Sequence, residues 1–206
     1  MPSFTLVIDS ATPACSVALL SGDRVVAEAH EVVGRGHAER LVPMVGALLA
    51  GRRPDRILVD CGPGSFTGVR VGLAAAHGLS IGWGVPVAGY SSMSLLAAAA
   101  AGREPGAPVG VALLAGHGQI FVQGFADAPI RPITPLRSLP PDEAAAALEA
   151  PQVIGSGAAI LVTIRGWGEA RDALPRAADV ALVPTLLRNL SPKPIYGRAP
   201  DAALPA

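Results

Sequence analysis

Ile57-Leu58-Val59-Asp60-Cys61-Gly62-Pro63-Gly64-Ser65-Phe66-Thr67-Gly68-Val69-Arg70 is the stretch from which the fold is read. A short apolar run, a glycine-governed turn and the head of a long Ala-, Gly- and Leu-rich segment spell strand, turn and helix. Gly62 and Gly64 admit backbone angles closed to other residues, Pro63 stiffens the bend, and Ser65 or Thr67 is placed to cap the first helical turn. Such a turn gathers backbone N–H groups at one spot. It is an anion cradle, a shaped surface for another macromolecule, or simply a tight connection. It is not a Walker loop, because no Lys follows the last glycine.

Residues 4–9, 16–20 and 24–33 read as three successive strands, with Ser21-Gly22-Asp23 as a hairpin turn. A helix follows over about residues 38–50 and stops near Gly51 and Pro54. Residues 56–60 form a buried strand, 66 to about 82 a helix, 85–88 a short strand and 91–101 another helix. The order βββαβαβα is that of the α/β actin-like ATPase and sugar kinase (ASKHA) fold. Residues 102–108 (GREPGAP) read as a linker by their Pro and Gly content, dividing an N-terminal lobe (1–105) from a reduced second lobe (106–206). In the second lobe, 109–114 and 119–125 open a degraded copy of the same layout. Residues 127–141 read as a proline-heavy loop, 142–150 as a short helix, and 152–154 as a strand ending in Gly155-Ser156-Gly157. This half is too short for a complete nucleotide-clamping lobe.

Half of the 206 residues are apolar, ample for a core. Formal charge is zero and no basic cluster advertises a polyanion-binding surface, so contact with RNA would have to be shared with a partner. Cys15 and Cys61 lie far apart, without CxxC spacing, in apolar strand contexts that suggest neither a disulfide nor a metal. The sequence does not open on a basic region, an apolar core and a small-residue cleavage site, which predicts a cytoplasmic address. Residues 71–102 carry no charged side chain, yet glycines, Pro86 and serines interrupt them, so a span of about 20 continuous apolar residues is not expected.

Asp9 closes the first strand, where actin-like ATPases place a carboxylate near metal and phosphates. A working site needs a second acidic side chain and glycine loops from the other lobe. Ser10-Ala11-Thr12 follows instead of a glycine-rich turn, and Asp9 reads as capping its own turn. Two histidines four residues apart on a helix would share one face and a metal. His37 has Leu41 at that position, and His30, His77 and His117 have no such partner. His37, just ahead of a helix, reads as an exposed or capping residue. HExxH is absent and Gly62-Pro63-Gly64-Ser65 does not satisfy GxSxG, so Ser65 reads as a helix cap and not as a nucleophile. The residues predict no catalytic group, and no metal or cofactor held by this chain alone.

Four stretches carry a resemblance: MPSFTLVIDSATPACSVALL from Met1, HAERLVPMV from His37, GPGSFTGVR from Gly62 and PKPIYGRAPDA from Pro192. Together they resemble the bacterial TsaB (YeaZ) family, small partner subunits of the machinery that makes threonylcarbamoyladenosine in tRNA. The likeness covers nearly the whole chain and is dense over the first hundred or so residues. It implies the actin-like fold and a noncatalytic scaffold that pairs with a TsaD-type catalytic paralog and helps recruit a TsaE-type ATPase. It also implies self-association of the free chain, ATP only at the joint of the complex, and tRNA reached only through the complex. The rival reading is an autonomous phosphotransferase or glycoprotease-like peptidase. The chain departs from the family at the start of the second lobe: Leu114-Ala115-Gly116 and Gln119-Ile120-Phe121 stand where relatives carry charge.

The helix opening at Phe66 carries Gly68, Gly72 and Ala76 every fourth residue, one nearly side-chain-free stripe. Interior glycines cost a helix about 1 kcal/mol each relative to Ala, so a stripe of them implies a compensating close approach. The neighbour is this chain's own sheet or another chain. Under the resemblance it is a partner, across an interface of Phe66, Gly68, Val69, Arg70, Gly72, Leu73 and Ala76. Residues 194–201 (PIYGRAPD) are expected to pack back on the body, because proline restricts them and Ile195 and Tyr196 supply apolar area.

Overall fold

The computed structural model describes residues 3–101 and 106–197. In the first lobe the elements are β1 (Phe4–Asp9), β2 (Ala14–Ser21), β3 (Arg24–Val32), α1 (His37–Leu49), β4 (Arg56–Asp60), α2 (Phe66–Trp83), β5 (Val87–Tyr90) and α3 (Ser92–Ala100). In the second they are β6 (Val109–Leu114), β7 (Ile120–Ala126), β8 (Arg131–Pro132), β9 (Arg137–Leu139), α4 (Pro141–Ala147), β10 (Gln152–Ile154), α5 (Ala158–Arg165) and β11 (Glu169–Arg171). Two short 3-10 helices, Ala177–Leu182 and Thr185–Arg188, follow.

The first sheet runs β3-β2-β1-β4-β5, antiparallel across β3, β2 and β1 and parallel across β1, β4 and β5. The second runs β8-β7-β6-β10-β11 with the same pattern of directions. Each lobe is therefore one copy of the same unit, which makes the chain an α/β protein of the actin-like and sugar kinase fold. The order βββαβαβα holds throughout the first lobe, with β5 starting two residues later than the apolar pattern implied.

Residues 127–141 are not a plain loop. They supply β8 and β9, both paired antiparallel to β7, and Thr134 accepts from the Gly124 N–H through its hydroxyl at 2.7 Å. Pro132 lies in an edge strand of only two residues, where a missing N–H costs no ladder bond. The linker of residues 102–108 lies mostly outside the described residues.

α1 and α2 cover one face of the first sheet, burying Leu41, Val45, Val69 and Leu73 against Leu6, Ile8 and Val59. α3 covers the other face and also packs on the second sheet. Leu95 and Ala98 face β1 and β2, while Met93, Leu96 and Ala97 face β6 and β7. A helix with apolar residues all round is a helix with neighbours all round, which explains why residues 92–100 show no polar stripe. α4 and α5 close the far face of the second sheet.

After β11 the chain returns to the first lobe. Ala177, Val180 and Val183 join the cluster of Val7, Leu58 and Tyr90. Ala177 N–H donates to the Ser16 hydroxyl at 2.9 Å, Leu190 bridges Gly89, and Ile195 N–H donates to the Cys61 carbonyl at 2.7 Å. Residues 194–197 of the expected docking segment pack back in this way, and residues 198–201 lie outside the described residues. Among the described residues no helix is long and apolar enough to cross a membrane.

Candidate functional site

The two lobes face each other through their glycine turns. In the first, Ser65 N–H donates to the Ala11 carbonyl at 2.6 Å. A side chain at Gly64 would run into that same carbonyl, so only glycine allows the turn to lie so close to the β1–β2 connection. In the second, Gly157 N–H donates to the Ala112 carbonyl at 3.0 Å, and Gly155 lies against it at φ 121°. Ser65 caps α2, accepting from the Gly68 N–H at 3.3 Å, as its position in the sequence predicts. Between the turns lies a cavity of about 880 Å³. Its walls include Val69 and Phe66 from one lobe, Leu113, Leu114 and Phe121 from the other, and Ile195 and Tyr196 from the returning segment.

Asp9 does not line this cavity, and neither does Asp60 at the end of the adjacent parallel strand. Both are fully buried and within hydrogen-bonding reach of each other. Asp60 accepts from Gly62 N–H at 2.8 Å and from the Ser92 hydroxyl at 2.5 Å. Asp9 accepts from the Ala11 N–H, as the turn-capping reading expects, and from the Tyr90 hydroxyl at 3.3 Å. Its Oδ1 has no donor. Burial and the neighbouring Asp60 charge raise the Asp9 carboxyl well above the ordinary carboxylate range, and burial raises Asp60 to about 6. The two carboxyls therefore titrate as a pair, both held above the ordinary carboxylate range. Tyr90, enclosed by both acids, is pushed further up by the same burial.

Sequence reasoning singled out Asp9 and missed Asp60. The available signal was an aspartate at the end of each of two parallel strands, which a shared sheet brings side by side. Among the described residues no group of three or more His, Cys, Asp or Glu is placed to hold a metal ion. His37 corrects the reading as an exposed or capping residue. It is buried, and its Nε2–H donates to the Thr12 carbonyl at 2.8 Å, tying α1 to the β1–β2 turn. Cys15 and Cys61 are buried free thiols, pushed up to about 11 and about 12 by burial.

The small-residue stripe of α2 is likewise corrected. Gly68, Val69, Gly72, Leu73 and Ala76 are buried inside the chain. A Cβ at Gly68 would meet the Ser10 carbonyl, and one at Gly72 would meet the Ser10 hydroxyl at 2.6 Å, Val59 and Ile8. Ser10 in turn donates to the Gly68 carbonyl at 2.9 Å. The close approach that compensates for the glycines is to β1 and β4 of the same chain. Of the seven residues expected at a partner interface, Phe66 and Arg70 alone are exposed. Ala74, Gly78 and Ile81 form the outer face of α2, and Val42, Gly46 and Ala47 that of α1, which lies beside it.

A duplicated actin-like unit with a closed carboxyl pair and an apolar cleft defines the class of protein. The model of the family "TsaD: tRNA N6-adenosine threonylcarbamoyltransferase" matches residues 28–128. The tRNA threonylcarbamoyladenosine biosynthesis protein TsaB of Haemophilus influenzae is 41% identical over 101 residues, covering 46% of this chain and 42% of that protein. Its counterpart in Escherichia coli is 36% identical over 121 residues, covering 56% and 52%. The matched part of the chain thus spans about half the length of these relatives. The solved structure of YeaZ from Pseudomonas aeruginosa superposes with a TM-score of 0.79 at 32% identity, over 94% of this chain and 99% of that one. The chain belongs to the TsaB (YeaZ) family.

Proposed function

We propose that this protein serves tRNA threonylcarbamoyladenosine biosynthesis as a noncatalytic scaffold, pairing with a TsaD-type catalytic subunit and helping to recruit a TsaE-type ATPase. The observation that carries this reading, together with family membership, is that the acids of an actin-like active site are closed off from the cleft. A fully buried pair leaves no open carboxylate at the cleft to grip a metal-bound phosphate. The Ser65 hydroxyl is spent as a helix cap, which disfavours a peptidase.

The pairing surface is the outer face of α1 and α2. Its apolar part is made of small and apolar residues, with Ile81 84% and Val42 54% exposed, and the charged side chains of Glu39, Arg40 and Arg70 are exposed among them. The same face serves the free chain in self-association. ATP belongs at the joint of the complex, tRNA is reached only through it, and the complex works in the cytoplasm. Copurification tests the reading. A tagged chain should bring down a TsaD-type protein, and threonylcarbamoyl transfer should need both chains. ATP turnover or proteolysis by the purified chain alone would contradict it.

A further inference from the structure

We propose that the cleft between the lobes binds a small planar aromatic anion, a flat ring system bearing one anionic group, with Arg70 meeting the anion. The cavity, at about 880 Å³, lies in the range of about 300–1,000 Å³ that encloses small ligands. Leu113, Leu114, Ala115 and Phe121 make its second-lobe wall apolar. The hydroxyls that line it are largely engaged. Ser65 and Ser156 accept from backbone N–H groups of Gly68 and Leu114, and Ser138 donates to Gln119.

Among the described residues that line the cavity, Arg70 is the one Lys or Arg. Its guanidinium lies 3.1 Å from the Phe66 ring centroid and donates to the Tyr196 hydroxyl at 2.7 Å. Among the described residues no carboxylate pairs with it. A guanidinium already held against an aromatic ring loses little freedom on taking up a carboxylate or phosphate, and it meets either one with two parallel N–H donors. Tyr196, its ring centroid 6.2 Å from that of Phe66, offers a ring face beside it. His117, at φ 63° between two glycines, adds an imidazole to the same lining. One cation among the described lining residues, set in apolar walls, suits a single anionic group on a flat apolar body. A metal triphosphate finds neither the charge nor an open carboxylate.

The test is a fluorescence titration of the full chain, alone, with 1-naphthyl phosphate. Saturable binding of one molecule per chain is expected. Arg70→Gln should weaken it at least tenfold, and Leu114→Asp, which sets a like charge on the wall, should do the same with circular dichroism unchanged. Inorganic phosphate and 1-naphthol, each offering half of the chemistry, should bind at least tenfold more weakly. Absence of saturable binding, equal affinity in Arg70→Gln, equal affinity for inorganic phosphate, or tighter binding of magnesium ATP would each overturn the proposal. Because no partner is present, failure of the pairing reading leaves this result unaffected.

Discussion

The Ser92 hydroxyl donates to Asp60 across 2.5 Å and, with the Gly62 N–H, makes Asp60 the member of the buried pair that carries the charge. Asp9, with an oxygen that no donor reaches, is raised well above the carboxylate range by burial and by the Asp60 charge.

Stability should therefore fall as pH rises. Both carboxyls titrate higher in the folded chain than in the unfolded one, so the folded state holds more protons from about pH 4 upward. Their contribution is complete below about pH 4 and is lost as pH climbs through about 6 and beyond. Asp9→Asn, neutral at every pH and still able to donate toward Asp60, should flatten this decline. Its melting temperature at pH 8 should equal or exceed that of the unmodified chain, while Asp60→Asn should lower it. Thermal melts from pH 4.5 to 8.5 give the comparison, at about 2–4 °C for each kcal/mol in a chain of this size.

Gly72→Leu should destabilise the isolated chain. Its side chain would be forced into Ser10, Val59 and Ile8, and overpacking of this kind costs about 1–3 kcal/mol. Urea unfolding of the monomer reads this directly. An unchanged midpoint would return the stripe to the surface.

Ile81→Glu should do the opposite. At 84% exposure the residue contributes little to the fold, so the melting temperature should stay within about 2 °C, since surface changes fall within about 0.5 kcal/mol. Self-association and capture of a TsaD-type partner should fail. Light scattering after size exclusion, with a pull-down, separates the two effects.

Removing the chain from Ile195 onward should lower the melting temperature. The deletion breaks the bond from Ile195 N–H to the Cys61 carbonyl and exposes apolar area that Ile195 covers. A loss of about 1–2 kcal/mol is expected from one hydrogen bond and part of an isoleucine side chain.

Neither thiol should react with a disulfide reagent at pH 8 until the protein unfolds. Cys15 and Cys61 are buried and held as neutral thiols, and the thiolate is the reactive form. Prompt release of thionitrobenzoate from the native chain would contradict this.

The first lobe was readable because its signals are local. Alternation, a hairpin turn and a capped helix start each lie within a dozen residues, and β4 and the start of α2 fall where the pattern puts them. What escaped depends on distance. α5 and β11 are short and carry no side-chain cap, so nothing local announces them. His37 is buried by carbonyls of Thr12 and Ala14, and Ala177 is anchored by Ser16, 161 positions earlier. The glycine stripe was seen correctly as a place of close approach. Which surface approaches it was decided by β1, a strand nearly sixty residues upstream.

The returning segment has a consequence for synthesis. A ribosome delivers β1 to α3 first, but one face of that sheet is covered only by α3 until Ala177, Val180 and Val183 emerge. The first lobe thus cannot complete its core as a freestanding vectorial unit, since its last wall is translated after β11, the final strand of the second sheet. A nascent chain halted between the lobes would present Val7, Leu58 and Tyr90 to chaperones, and arrest-peptide force profiles should place the main folding event after residue 183 has cleared the exit tunnel.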